Sequence, residues 1–380
     1  MESNPLIGLS GLGQSIWYDY IDRNLLRSGT LARMINEDGL KGVTSNPTIF
    51  EKAIEGSDIY DDALMVIARG NPSLSAREYF YTLAVQDIRA AADVLMPVYE
   101  RSKRRDGMVS LEVSPDLAHD TDGSIAEARR LYALVDRPNV MIKIPATQAG
   151  IPAVEQLISE GINVNVTLLF SLDRYMDVAR AYLRGLRKRM HSGGSLVGVA
   201  SVASFFVSRV DSLIDQELQK RLEEAAPGAR ESVRALLGTI AISNAKLAYQ
   251  KFLEIFAASE FVELQLAGAQ TQRLLWASTG TKNPAYSDVM YIESLVGPET
   301  VNTVPPATYE SFKRHGRASV SLGQGVAEAR EHLEAVARLG INLPAALQKL
   351  EADGVAAFKH SFDSLLSTIE GKLRSMQTVT

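Results

Sequence analysis

Short apolar runs alternate along this chain with longer amphipathic stretches, and that rhythm sets the first expectation about its fold. Runs at 15–18, 42–44, 108–113, 140–144, 163–168, 196–202, 273–277 and 301–304 read as strands. Near-continuous apolar character in such runs marks strands covered on both faces, as in a parallel sheet. Between them, 24–38, 76–100, 124–134 and 151–160 carry helical patterning. Eight strands with intervening helices predict an α/β fold, a closed (β/α)8 barrel of the TIM type. Two parts exceed the minimal barrel. The segment 54–101 is long enough for two or three helices, and the tail 318–380 carries helical patterning at 326–339 and 344–373. Gly340 and Pro344 punctuate that tail as a helix stop and restart. No Pro/Ser-rich linker precedes it, so 1–380 reads as one barrel domain with 318–380 as C-terminal helices packed on the barrel.

One apolar run holds a residue that does not belong in it. In Asn139-Val140-Met141-Ile142-Lys143-Ile144-Pro145, Lys143 stands among side chains that exclude water. Burial disfavours an ammonium ion, and a neutral buried amine is a nucleophile toward carbonyls. Pro145 has no N–H for a ladder, so the strand is expected to end there, with Lys143 near its carboxyl end.

In a (β/α)8 barrel the strand ends and the loops after them build the site. Polar residues recur at those ends. Asp19 follows Ile16-Trp17-Tyr18, and Ser45 and Asn46 follow Gly42-Val43-Thr44. Glu112 lies in Val109-Ser110-Leu111-Glu112-Val113, and Thr167 in Val164-Asn165-Val166-Thr167-Leu168. Ser204 and Arg209 follow the sixth run, and Ser278 follows Leu275-Trp276-Ala277. An amine, two carboxylates, an asparagine and several hydroxyls at one mouth suit Schiff-base chemistry: the amine attacks a ketone while acid–base groups move protons. Arg209 with neighbouring hydroxyls suits a phosphate. Each residue taken alone also has an ordinary structural reading. Glu112 and Lys143 make an interstrand ion pair, Asn46 before Pro47 is turn chemistry, Asp19 caps a helix near Asn24, and Arg209 pairs with Asp211 on a helix surface. Every strand end carrying such a residue favours the catalytic reading of the set.

Composition removes several other classes. A net charge of −5 and a pI of about 5.7 argue against a general affinity for nucleic acid or anionic membrane. The chain has no cysteine, which excludes disulfides, thiolate metal sites and thiol catalysis. His119 lies near a strand end, whereas His191, His315, His332 and His360 are scattered without ligand-spaced partners, so no metal is expected. Neither Gly11/Gly13 nor Gly193-Gly194 is followed by a phosphate-loop lysine, and no cofactor is expected. No secretory segment opens the sequence and no apolar stretch approaches a membrane span, so a cytoplasmic protein is expected, as monomer or homodimer.

The strand-end residues sit in blocks that resemble the transaldolases, and the overall length resembles their longer bacterial subfamily. The blocks are Gly42-Val43-Thr44-Ser45-Asn46-Pro47-Thr48, Leu111-Glu112-Val113, Ile142-Lys143-Ile144-Pro145-Ala146-Thr147, Asn165-Val166-Thr167-Leu168-Leu169-Phe170-Ser171 and Ser204-Phe205-Phe206-Val207-Ser208-Arg209-Val210-Asp211. With Asp19 they extend to about Thr308 in the family's order. The resemblance implies a barrel enzyme of the pentose phosphate pathway, in which Lys143 forms a Schiff base with fructose 6-phosphate or sedoheptulose 7-phosphate. Asp19 is then the acid–base for cleavage, Glu112 and Thr167 activate a water, and Asn46 and Asn165 hold the dihydroxyacetone moiety. Ser204 and Arg209 would hold the phosphate, with Phe206 lining the site and Ser278 among the substrate-binding residues; the acceptor is an aldose phosphate such as glyceraldehyde 3-phosphate or erythrose 4-phosphate. Two positions depart from the family pattern. Gly280 stands where shorter relatives carry an arginine, leaving Lys282 as the nearest base, and Trp17-Tyr18 is an unusual pair before Asp19. A fructose-6-phosphate aldolase and a non-catalytic sugar-phosphate-binding barrel are the alternatives; the chain's length and Asp19 favour the transferase.

Overall fold

A computed structural model describes residues 4–377. Eight strands close into a single barrel in chain order: β1 (Gln14–Tyr18), β2 (Gly42–Val43), β3 (Met108–Glu112), β4 (Val140–Pro145), β5 (Val164–Leu169), β6 (Ser201–Phe206), β7 (Arg273–Ala277) and β8 (Thr300–Val304). All neighbours are parallel, and β8 closes on β1 through the register Gln14↔Thr300 to Tyr18↔Val304. The expected (β/α)8 barrel is therefore the fold. β4 ends at Pro145, which has no N–H to give to β3, while Ala146 N still donates to the Thr167 carbonyl of β5 (2.7 Å).

Two expectations need correction. The apolar pattern predicts the sixth strand at 196–202, whereas it lies at Ser201–Phe206. Leu196, Val199 and Ala200 are buried and supplied the apolar pattern, but Val197 is exposed and Gly198 has φ +88°, which turns the chain before the ladder begins. Ser204 is consequently inside the strand. The expected helix 24–38 is two helices, Arg23–Arg27 and Thr30–Asp38, parted at Gly29 with φ +72°. The excess between β2 and β3 is three helices, Pro47–Glu55, Asp61–Gly70 and Ala76–Arg101. The last of these starts on a capping box between Ser75 and Glu78.

Side chains alternate along a strand, so every second residue points into the barrel. Trp17, two residues before Asp19, has its ring where a Cβ on Gly42 of the next strand would stand, 2.5 Å from the nearest ring atom. Glycine at 42 is what lets the indole fill the interior beneath the mouth. At the opposite end Arg273 donates to Asp106 (2.9 Å), to Ser15 Oγ (2.9 Å) and to the Arg105 carbonyl (2.7 Å). Burial pushes the Asp106 carboxyl up, but Arg273, Lys41 and Ser15 together hold it below the ordinary carboxylate range.

The C-terminal patterning forms Val326–Arg338 and one 35-residue helix, Leu343–Gln377. That long helix packs on Pro47–Glu55 and Ala76–Arg101. Thr48 and Ser361 share a hydrogen bond (2.8 Å), and Phe362 meets Phe80 edge-on at 5.5 Å.

Removing Asp106 leaves a buried guanidinium without its counter-ion. Asp106→Ala should cost about 3–5 kcal/mol in urea unfolding at pH 7. Because the folded carboxyl titrates below its ordinary pKa of about 3.9, its contribution is complete above that pH and fades as pH falls through the folded value. The stability gap between unmodified protein and variant should therefore narrow in acid; a gap constant from neutral pH to pH ~3 would contradict this.

Candidate active site

β3 and β4 lie in register so that Glu112 is beside Lys143. Both are buried, and Nζ is 3.4 Å from Oε2, an ion-pair distance. Lys143 Nζ also donates to the Ser45 carbonyl at 3.0 Å, which ties the amine to the end of β2. Burial pushes the Glu112 carboxyl up; Lys143 opposes that rise and Asp19 adds to it.

Asp19 follows β1 with its N–H still bonded to the Val304 carbonyl (2.9 Å), so the ladder fixes its backbone one residue past the strand. Its carboxylate accepts from Thr44 Oγ1 (2.6 Å), which is itself 2.5 Å from Thr303 Oγ1. Burial pushes the Asp19 carboxyl up as well, against the Thr44 hydrogen bond and the charges of Lys143, Lys282 and Arg209. Helix capping near residue 24 belongs to Asp22, which accepts from Leu25 N.

β5 carries a bulge between Val166 and Leu169, with Leu168 at φ +59°. Bulges re-aim neighbouring side chains, and strained residues of this kind gather at functional sites. Thr167, just before it, lines the cavity; its Oγ1 and Glu112 Oε2 are buried without a hydrogen-bond partner. Ser204 Oγ donates to Asn165 Oδ1 (2.6 Å), and Asn165 Nδ2 donates to Ser110 Oγ (3.0 Å).

These residues surround a cavity of about 270 Å³ at the carboxyl ends of the strands. Asp19, Asn46, Lys143, Thr167, Ser204, Phe206, Arg209 and Ser278 all line it. Glu112 and Asn165 do not: the first stands behind the amine, the second is fully buried beneath Ser204. Asn46 also N-caps Pro47–Glu55 through Ile49 N, so the turn role and a place in the cavity lining are compatible. Ser278 sits at φ +56°, and its hydroxyl is 3.0 Å from that of Ser208.

Arg209 is not a surface partner of Asp211. Its guanidinium lies between the rings of Phe206 and Phe358, with Cζ 5.3 and 5.9 Å from their centroids. Asp211 is buried on another side, accepting from Ala241 N (2.7 Å) and Tyr291 Oη (2.9 Å). Burial, reinforced by Asp215, pushes its carboxyl up to about 7. Asp215 accepts from Tyr286 Oη (2.7 Å), so these two carboxylates fasten the stretch after β7 that carries Lys282.

Sequence reasoning missed Lys52, Thr44, Thr303 and Phe358 in the cavity wall. Lys52 was findable: with Asn46 as N-cap, Thr48 and Lys52 fall four residues apart on one helix face. Phe358 reads in sequence as an ordinary core position of an amphipathic helix. None of the ion pairs of the described residues involves Lys52, Arg209 or Lys282, so three cations face one cavity with Asp19 as the carboxylate in its lining.

The site thus presents an amine beside one buried carboxylate, in a cavity lined by a second carboxylate and by cations that can take an anion. Among the described residues no helix is long and apolar enough to cross a membrane. The family model described as "Transaldolase/Fructose-6-phosphate aldolase" matches residues 16–369. A protein called "Transaldolase 2" from Nostoc sp. (strain PCC 7120) is 45% identical over the whole of both chains. Proteins called "Transaldolase" from Thiobacillus denitrificans and Neisseria gonorrhoeae are 48% and 46% identical, covering 95% and 96% of this chain and 98% and 99% of theirs. With that match across almost its full length, the chain belongs to the transaldolase/fructose-6-phosphate aldolase family.

Proposed function

We propose that this chain is a transaldolase that moves a dihydroxyacetone unit from a ketose phosphate to an aldose phosphate through a Schiff base on Lys143. The observation that carries the assignment is a buried lysine amine beside one raised carboxylate, in a cavity whose lining includes a second. The amine adds to the ketone at C2. Glu112, with Thr167, handles the water lost as the carbinolamine becomes an iminium. Asp19 takes the proton from the C4 hydroxyl as C3–C4 breaks, leaving aldose phosphate and an enamine on the lysine. The enamine carbon then attacks the acceptor aldehyde, whose oxygen takes that proton from Asp19, and water frees the new ketose.

Asn46 is suited to the dihydroxyacetone hydroxyls, with Ser204 placed by Asn165 from beneath. The phosphate belongs at the cationic side. Arg209 supplies the fork, while Lys282 and Lys52 supply charge where Gly280 leaves no guanidinium. The long C-terminal helix is then part of a single barrel domain, because it walls the same cavity through Phe358. Full-length similarity to proteins called transaldolases favours transfer over aldolase release.

Lys143→Arg keeps a cation beside Glu112 but offers no usable nucleophile. It should fold and lose activity, and borohydride with fructose 6-phosphate should no longer add mass. In the unmodified protein the same treatment should label one peptide, the one containing Lys143; label at Lys41 or Lys282 would reassign the amine.

Arg209→Ala should raise KM for phosphorylated substrates roughly 10- to 100-fold, the worth of a charged hydrogen bond, with kcat less affected. Lys282→Ala and Lys52→Ala should each have a smaller effect of the same kind. An unchanged KM in all three would remove the phosphate from this side of the cavity.

Asp19 must be ionised to accept the hydroxyl proton, so kcat/KM should fall in acid with a limb above the ordinary carboxylate range. Thr44→Val removes a hydrogen bond that favours the charged form and should move that limb to higher pH. A limb that stays in place in the valine variant would assign it to another group.

A further inference from the structure

The helix Leu343–Gln377 brings one side chain into the cavity, and the strand-end construction of a barrel does not account for it. Phe358 is 5% exposed, with its ring centroid 6.0 Å from Lys143 Nζ and 5.9 Å from Arg209 Cζ. One turn earlier, Gly354 lies so close to the bulge that an added Cβ would stand 2.9 Å from Leu168 and 3.5 Å from an Arg209 nitrogen. One turn later, Phe362 packs on Phe80, and Ser361 is hydrogen-bonded to Thr48. Lys359 adds an ion pair to Asp116 at 2.7 Å. The ring is therefore held in place, from before and after it in the chain, against the amine and the guanidinium.

An adduct on Lys143 has two exits. In transfer, enamine C3 attacks the acceptor aldehyde, the aldehyde oxygen takes a proton, water adds at C2 and the C–N bond breaks to give a new ketose and the free amine. In release, C3 takes a proton instead, water adds at C2 of the resulting iminium, and the C–N bond breaks to give dihydroxyacetone and the free amine. Both exits end with water at C2. They differ in whether C3 meets a proton before it meets an acceptor. A ring with no polar atom beside the amine displaces water and supplies no proton, and shielding a reactive intermediate in this way is a recognised function of a closed site.

Resting on the reading of Lys143 as the Schiff-base amine, we propose that Phe358 is a specificity-determining residue that keeps a proton-donating water from C3 of the enamine until an acceptor arrives, and so sets the ratio of transfer to release. Gly354 acts with it, because a Cβ there would press on the Leu168 side chain at 2.9 Å and approach Arg209 at 3.5 Å.

The test supplies fructose 6-phosphate with and without glyceraldehyde 3-phosphate or erythrose 4-phosphate to the unmodified protein and to Phe358→Ala, Phe358→Leu and Gly354→Ala. Transfer product, free dihydroxyacetone and borohydride-trapped adduct are measured, and thermal melts confirm folding. In Phe358→Ala the ratio of release to transfer should rise about tenfold or more, Phe358→Leu should restore most of it, and Gly354→Ala should move in the same direction as Phe358→Ala. A ratio within about twofold of the unmodified protein in Phe358→Ala overturns the proposal, as does a rise equally large in the leucine variant. If Phe358→Ala does not fold, Gly354→Ala decides by the same criterion. An unmodified protein that yields no trapped adduct overturns the Schiff-base reading and this one with it; an adduct with an unmoved ratio overturns only the role of Phe358.

Discussion

The registration of β3 against β4 is the constraint on which the site depends, because it sets Glu112 beside Lys143 inside the barrel. Two buried charges rarely stabilise a fold more than apolar residues of similar volume would. Here the pair is stabilised further by the Ser45 carbonyl, which accepts from the amine and so also locates the end of β2. A one-residue slip of β4 would turn Lys143 outward and put Ile142 or Ile144 in its place, and a slip of β3 would replace Glu112 with Leu111 or Val113. The neighbours follow the same face. Asn165 is level with Lys143 in the register and Thr167 with Pro145, so the next strand presents an amide and then a hydroxyl.

The barrel's stagger carries this arrangement downward as well. Following the register from Lys143 through Asn165 and Val202 arrives at Arg273, which lies at the start of β7 and in the opposite end of the interior. One ionic cluster thus occupies the mouth and another the base, with the Trp17 indole over Gly42 between them. The unusual tryptophan before Asp19 has a packing explanation: it fills space that glycine on the neighbouring strand vacates. The lower cluster is dense in hydrogen bonds, as buried charge requires, whereas the upper one leaves Thr167 Oγ1 and Glu112 Oε2 without a hydrogen bond, the latter in ion-pair contact with Lys143 alone.

Much of this was legible in the chain because strand-end chemistry is local. A lysine in an apolar run closed by proline, and polar residues just after other such runs, are short-range signals that barrel geometry converts into one mouth. What escaped depends on long-range packing. β6 was misplaced because Leu196 and Val199 are buried without being in the ladder, and only the backbone at Gly198 distinguishes the two. Asn165 reads in sequence as a ligand group, and only the fold shows that it lies beneath Ser204 with hydrogen bonds to Ser204 and Ser110. Phe358 carries no sequence signal at all, since its 6.0 Å approach to Lys143 closes over a separation that local periodicity does not span.

The cationic side of the cavity shows how such a site persists without an internal counter-ion. Pairing Arg209 with a carboxylate would stabilise the free protein and, on the proposed reading, would equally compete with the substrate's phosphate. The rings of Phe206 and Phe358 instead offer their negative faces, which partly compensate the desolvated guanidinium while leaving its N–H groups uncommitted. The carboxylates that might have taken that role, Asp211 and Asp215, accept from the backbone and from Tyr291 and Tyr286. Their hydrogen bonds fix the stretch bearing Lys282 and keep negative charge turned away from the cavity. On the proposed reading, binding strength is thereby held for the substrate at some cost to the stability of the unliganded barrel.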